Sequence, residues 1–175
     1  IVAVNKKANT LSIDLYKQIR ENLKKYDKEF LYETSVDTGF PVLQTLRDLY
    51  YSGEKITKIR GVFSDNLSYV FNRFSTEDNS FSSILKDAGL LGLMRSTFKE
   101  NLSGNDTAGK LLILTREIGK EFELSDIKID PLIKAEHREK NGVLNREAID
   151  KSFRIEKNTQ AENHVLRYVG EYDVE

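Results

Sequence analysis

Asp106 and Lys110 stand four residues apart in the run Asn101-Leu102-Ser103-Gly104-Asn105-Asp106-Thr107-Ala108-Gly109-Lys110, which continues into Leu111-Leu112-Ile113-Leu114. Residues i and i+4 share one face of a helix, so a carboxylate and an ammonium can project together into a cleft while the other face packs. The same spacing has a purely structural reading. Ser103-x-x-Asp106 is a capping-box variant, and Asp–Lys at that interval is ordinary helix electrostatics. Other chemistry is scarce. With no cysteine there is no disulfide, no thiol nucleophile and no cysteine-type zinc site. Two histidines, His137 and His164, argue against a His-based metal site or a Ser-His-Asp triad.

The elements that must position these residues follow from periodicity. The spacing predicts one long helix from about Ser103 to Phe122, with Leu111, Leu114, Ile118 and Phe122 inward. Ile1–Val4 reads as a short buried strand. A helix capped by Thr10 or Ser12 follows, with Leu11, Leu15, Ile19, Leu23 and Tyr26 at helical spacing. Phe30–Thr34 is a strand candidate ending in the turn Asp37-Thr38-Gly39. Pro41 suits the first turn of a helix carrying Val42, Leu43, Leu46, Leu49 and Tyr50, and Gly53 stops it. Lys55–Phe63 reads as a second long strand, and Leu67–Phe74 and Phe81–Ala88 as shorter helices. Residues 134–163 read as a polar, exposed excursion with one weak helix near Arg146–Ser152. Leu166, Tyr168, Tyr172 and Val174 then alternate as in a strand. Strands around a run of helices imply an α/β (α+β) layer fold, a mixed β-sheet covered by helices.

The 175 residues suit a single domain, 1–175, large enough for a real core. A net charge of −1 without a basic block argues against a nucleic-acid surface. No apolar run approaches the roughly 20 residues of a membrane span, and no signal-peptide pattern opens the chain. These features fit a cytoplasmic protein. An apolar strand at a bare first residue, with no Met before it, reads as a piece of a longer protein.

Three further stretches join the Asp106–Lys110 run. They are Asn5-Lys6-Lys7-Ala8-Asn9, Glu33-Thr34-Ser35-Val36-Asp37-Thr38-Gly39-Phe40-Pro41 and Gly61-Val62-Phe63-Ser64-Asp65-Asn66-Leu67-Ser68-Tyr69. In this order they resemble the homoserine dehydrogenase family, and most closely the dehydrogenase half of bifunctional aspartokinase–homoserine dehydrogenases. The resemblance covers roughly Ile1–Ile133, with a weaker echo in 162–174. It implies NAD(P)H-dependent interconversion of aspartate 4-semialdehyde and homoserine, on the route to threonine and methionine. By the same resemblance Lys110 is the general acid/base, a task a lysine performs when burial lowers its pKa. Lys6 contacts cofactor and substrate and stabilises developing negative charge. Asp106 and Glu100 bind substrate. Glu33 with the main-chain oxygens of Val36, Thr38 and Phe40 holds a monovalent cation, whose hardness suits oxygen ligands. A homodimer is implied as well.

The chain also departs from the family pattern. Asp37 and Asp65 stand where the family has glycine, and Arg95 stands where it has the glutamate that pairs with the substrate ammonium. A guanidinium there repels that ammonium. The dinucleotide fingerprint Gly-x-Gly-x-x-Gly is missing. The resemblance therefore implies a substrate-binding and dimerisation domain, with residues 1–8 ending a nucleotide-binding domain that is not in this chain. NADP or NAD would be bound mainly by that domain, and this chain alone would not turn over. A catalytically degenerate structural domain of the same family is the alternative.

Overall fold

The computed structural model describes residues 1–93, 102–138, 143–161 and 164–174. Its sheet is small. Lys58–Gly61 (β1) pairs antiparallel with Gly170–Asp173 (β2), Lys58 opposite Asp173 and Gly61 opposite Gly170. The helices are Lys7–Thr10 (α1), Ile13–Lys25 (α2), Val42–Tyr51 (α3), Asp65–Thr76 (α4), Phe81–Leu90 (α5), Asn105–Glu117 (α6) and Arg146–Thr159 (α7). The α+β class holds, and among the described residues its β part is a two-stranded antiparallel sheet.

Two compact units divide the chain. The first comprises residues 1–63, 107–128 and 169–175, the second 64–106 and 129–168. In the first unit Tyr32, Val36, Leu43, Ile113 and Leu114 form the buried cluster, with Phe30, Leu46, Ile59 and Phe63 against it. In the second, Phe71, Phe74, Phe81 and Phe153 meet in an aromatic core with Leu67, Val70, Ile84, Leu85, Leu102 and Ile149. Phe81 and Phe153 stack with ring centroids 3.6 Å apart, and Phe74 meets Phe81 edge-on at 5.2 Å.

Helix starts follow their capping chemistry. The Ser64 hydroxyl accepts from the Leu67 N–H and begins α4; Ser80 accepts from the Ser83 N–H and begins α5. Asn145 does the same for the Ala148 N–H at α7. Gly53, at φ +94°, ends α3 in the left-handed region.

Several sequence expectations are corrected. Ile1–Val4 is not a buried strand: Val2 makes one isolated parallel bridge to Leu31, and Ile1 and Val2 are 78% and 79% exposed. One bridge leaves the apolar run uncovered. Phe30–Thr34 gives that single bridge and then a 3₁₀ turn at Glu33–Ser35, because the chain must bend to bring Tyr32 and Val36 inward. The strand expected over Lys55–Phe63 shrinks to β1, its length set by the four-residue partner. Leu166 and Tyr168 are not in a strand; only 170–173 pairs. The helix expected from Leu15, Ile19 and Leu23 forms as α2, with none of its residues buried. Ser12 precedes α2, but its hydroxyl makes no cap; the Ile13 N–H donates to Glu123 Oε1 at 2.7 Å instead. Residues 146–159 form a full helix rather than a weak one, because Ile149 and Phe153 fall on its inward side and enter the aromatic core. Asp150 fixes that helix further, accepting from the Ser82 N–H and hydroxyl at 2.7 and 2.8 Å.

Candidate functional site

Helix α6 carries the leading candidates. It is preceded by Gly104 at φ +82°, where an added Cβ would lie 2.7 Å from the Ile129 Cγ2, so left-handed backbone and close packing both require glycine. The helix is buried on nearly every side: Thr107, Ala108, Gly109 and Leu111–Arg116 are all inside. The run predicted to Phe122 ends at Glu117, and Ile118 stays buried just beyond. Asp106, in its first turn, and Lys110, one turn on, are half-buried. Lys110 Nζ donates to the Phe63 carbonyl at 2.7 Å, which draws the ammonium to the end of the segment leaving β1.

Lys6 sits at the start of α1, half-buried. The preceding Asn5 accepts from the Lys7 N–H at 2.7 Å through Oδ1, an Asx turn that starts the helix. The Lys6 carbonyl receives the Asn9 and Thr10 N–H groups at 2.9 and 3.1 Å. A Cβ placed on Gly109 would lie 3.6 Å from the Thr10 methyl, so α1 runs against α6 at the residue next to Lys110. The structure thus brings the Asn-Lys-Lys turn and the lysine-bearing helix together within the first unit.

The turn after Tyr32 is built around two carboxylates. Pro41 has no side-chain acceptor, so the first N–H groups of α3 need one from elsewhere. Glu33 provides it: Oε1 accepts from Leu43 N–H at 2.7 Å and Oε2 from Gln44 N–H at 3.1 Å. Asp37 Oδ1 accepts from the Gly39 and Phe40 N–H groups at 2.7 and 3.3 Å. Among the described residues Asp27 is the non-glycine with positive φ, so Asp37 fits its turn without strain. Asp65 is equally compatible, since it occupies the first turn of α4, where the helix dipole favours an anion. The candidate cation ligands Glu33, Val36, Thr38 and Phe40 are all oxygen donors. Glu33 is engaged with α3, and the Phe40 carbonyl accepts from Val42 N–H at 2.9 Å. Carboxylate and carbonyl oxygens carry a second lone pair, so the donor set suits a hard cation. Arg95 and Glu100 lie outside the described residues.

Sequence reasoning passed over a buried polar network in the first unit. The Arg116 side chain is 0% exposed. Its Nη1 donates to the carbonyls of Asn9 and Leu11 at 3.0 and 2.8 Å, and its Nε and Nη2 donate to Phe122 O at 3.1 and 2.7 Å. Burial lowers its pKa from the ordinary value, opposed by the Glu123 carboxylate. Next in sequence, Glu117 accepts from the Tyr32 hydroxyl and, at 2.6 Å, from Arg47 Nε. Arg20 Nη2 donates at 2.7 Å to both Asn9 Oδ1 and the Tyr32 hydroxyl oxygen. Burial, reinforced by Glu117, pushes the Tyr32 hydroxyl well above its usual pKa. The signal was available: Arg116 follows Leu112 by four residues and so falls on the inward face of the helix, in line with the apolar run Leu111–Leu114.

An apolar depression of about 420 Å³ lies beside this region, walled by Phe40, Val42, Leu46, Ile59, Phe63 and Leu114. It offers few partners for a charged amino acid. Among the described residues no group of three or more His, Asp or Glu could hold a metal, and no helix is long and apolar enough to cross a membrane.

Residues 41–175 match the family model described as homoserine dehydrogenase. A bifunctional aspartokinase/homoserine dehydrogenase of Buchnera aphidicola is 44% identical over 133 residues, 76% of this chain and 16% of its own. A chloroplastic bifunctional aspartokinase/homoserine dehydrogenase of Zea mays is 36% identical over 99% of this chain and 19% of its own length. The homoserine dehydrogenase of Schizosaccharomyces pombe is 35% identical over 99% of this chain and 49% of its own. The chain therefore spans between about a sixth and a half of these relatives. Among solved structures, a Candida auris protein of unknown function superposes with a TM-score of 0.85 at 32% identity, covering 97% of this chain and 50% of that one. A homoserine dehydrogenase structure from Archaeoglobus fulgidus, labelled putative in its title, shares the fold at a TM-score of 0.76 and 21% identity, over 98% of this chain and 48% of that one.

Proposed function

This chain belongs to the homoserine dehydrogenase family, and we propose on that premise that it forms the substrate-binding part of an oxidoreductase interconverting aspartate 4-semialdehyde and homoserine. What supports the proposal is that α1, which opens at Lys6, packs through Thr10 against α6 at Gly109, the residue before Lys110. When bound, a reduced nicotinamide, NADPH or NADH, would supply the hydride of this reaction. Among the described residues the two paired strands are antiparallel, and the sequence carries no Gly-x-Gly-x-x-Gly motif. This chain's part in the cofactor site is Lys6, and in isolation it gives no hydride transfer.

The chain's own residues then have distinct tasks. Lys110 Nζ delivers a proton to the nascent alkoxide and removes it in the reverse direction. The Lys6 ammonium stabilises negative charge as it develops on the carbonyl oxygen. Asp106 and Glu100 bind the substrate, with Arg95 at the position where its ammonium would otherwise meet a carboxylate. Glu33 and the carbonyls of Val36, Thr38 and Phe40 would hold a monovalent cation and stiffen the turn before α3. A homodimer, a cytoplasmic setting and a place in threonine and methionine biosynthesis complete the reading.

The test is homoserine-dependent reduction of NADP or NAD by the full-length polypeptide, beside its Arg95→Glu variant. Activity in the unaltered protein supports the reading and shows that another group replaces the lost glutamate. A silent protein that gains activity with Arg95→Glu locates the loss at that residue. Silence in both refutes the enzymatic reading and leaves a structural domain.

A further inference from the structure

Helix α1 is four residues long, far too short to persist by its own hydrogen bonds. What holds it is side-chain chemistry from elsewhere in the first unit. Its Asn9 carbonyl, and that of Leu11 just beyond, both accept from Arg116 Nη1. The same guanidinium reaches the Phe122 carbonyl with Nε and Nη2, and the Tyr16 ring lies 5.0 Å from its centre. Its nearest carboxylate oxygen, on Glu123, is 3.4 Å away. The buried cation is thus held chiefly by carbonyl dipoles. The fork is essential to this geometry, because an ammonium is a point donor that cannot span carbonyls on two sides.

Burying a guanidinium is costly, and an apolar side chain at an inward position of α6 would avoid that cost. What arginine achieves there is a fixed backbone. Lys6 opens α1 and its carbonyl closes the first turn, so the position of Lys6 follows that of α1. Helix α1 touches α6 at Gly109, through Thr10, and again two turns later at Arg116. Those two attachments flank it on the helix that carries Lys110.

We propose that Arg116 is a positioning residue, a clamp that sets Lys6 relative to Lys110 by holding the carbonyls of Asn9 and Leu11. This rests on the reading of Lys6 and Lys110 as groups that meet the reacting carbonyl.

The experiment uses the full-length polypeptide with Arg116→Lys and Arg116→Met, each alone and combined with Lys6→Ala. Both single variants are expected to lower kcat for homoserine-dependent NADP reduction by roughly 10- to 100-fold, as misplacement of a reacting group does, with KM moving less. In the Lys6→Ala background the same substitutions should change kcat by less than about twofold, because the residue they act through is gone. Equal losses in both backgrounds overturn the proposal and leave Arg116 a support of the fold alone. Hydrogen exchange of the amides of residues 7–11 is read in the same proteins. Faster exchange there, with the Leu43 and Gln44 amides capped by Glu33 unchanged, supports the clamp; unchanged exchange at 7–11 overturns it. Where the unaltered protein shows no activity, the enzymatic reading fails and exchange alone decides the clamp. Should Arg116→Met not fold, Arg116→Lys carries both readouts.

Discussion

The two units of this chain are held together by different physics. The second has a buried aromatic centre, where Phe71, Phe74, Phe81 and Phe153 pack ring on ring. The first has a smaller apolar cluster and, beside it, buried charge: Arg116 among carbonyls, and Glu117 between Tyr32 and Arg47. Apolar packing is non-directional and tolerates small shifts, whereas charge-assisted hydrogen bonds fix geometry at the cost of desolvation. Lys6, Lys110 and Glu33 all lie in the unit organised by directional bonds. Directional bonds of this kind fix the backbone that carries a side chain more closely than apolar packing does.

The largest effect that would sharpen this contrast is in the second unit. Phe153→Ala removes the ring stacked on Phe81 from a position 2% exposed. It should cost about 3–5 kcal/mol, read by urea denaturation of the full-length protein. A loss below about 1 kcal/mol would mean the aromatic cluster is not what holds that unit.

In the first unit, Glu117→Gln keeps the shape but removes the anion that accepts from Tyr32 and Arg47. The expected loss is about 1.5–3 kcal/mol, typical of hydrogen bonds to a charged group. The pKa of the Tyr32 hydroxyl should fall in this variant, since Glu117 is one of the causes that raise it. Ultraviolet titration of tyrosinate would detect the fall; no movement would break the assignment of the network.

The smallest effect concerns a half-buried pair in the second unit. The Arg73 guanidinium, with help from Asn79, holds the Glu77 carboxyl down to about 2, against an ordinary value of 4.5. A depressed folded-state pKa stabilises the protein above the unfolded value, and that contribution is lost as pH falls through the folded one. Glu77→Gln should therefore be slightly less stable than the parent at pH 6. The gap should close between about pH 4.5 and 2. A gap that persists at pH 2 would assign it to something other than charge.

How much of this was readable from the sequence depends on where each signal is local. Helices α3, α4 and α5 announce themselves by apolar spacing and by Pro41, Gly53, Ser64 and Ser80 at their ends. The run Leu111–Leu114 announces α6. Strands fared worse, because pairing is a tertiary property: Ile1–Val4 has the composition of a buried strand yet finds one bridge, at Leu31. Helix α7 was undervalued because two inward residues, Ile149 and Phe153, are enough to anchor fourteen polar ones when they meet an aromatic core. Lys6 and Lys110 are candidates by family resemblance; the packing of α1 against α6 at Gly109 is a property of the fold that the resemblance does not give. The Phe63 carbonyl as partner to Lys110 and the Asn9 and Leu11 carbonyls as partners to Arg116 leave no local mark, since main-chain acceptors have no letter in the sequence. Asp37 and Asp65, which read as departures from a glycine pattern, turn out to serve as a turn acceptor and a first-turn helix anion.

The central claim is that Lys110 carries the proton in a hydride-transfer reaction. Its most direct test is homoserine-dependent NADP reduction by the full-length polypeptide and its Lys110→Met variant, with homoserine binding measured on both. The account predicts a kcat loss on the order of 100- to 10,000-fold, with homoserine still bound. Undiminished turnover in Lys110→Met would contradict it.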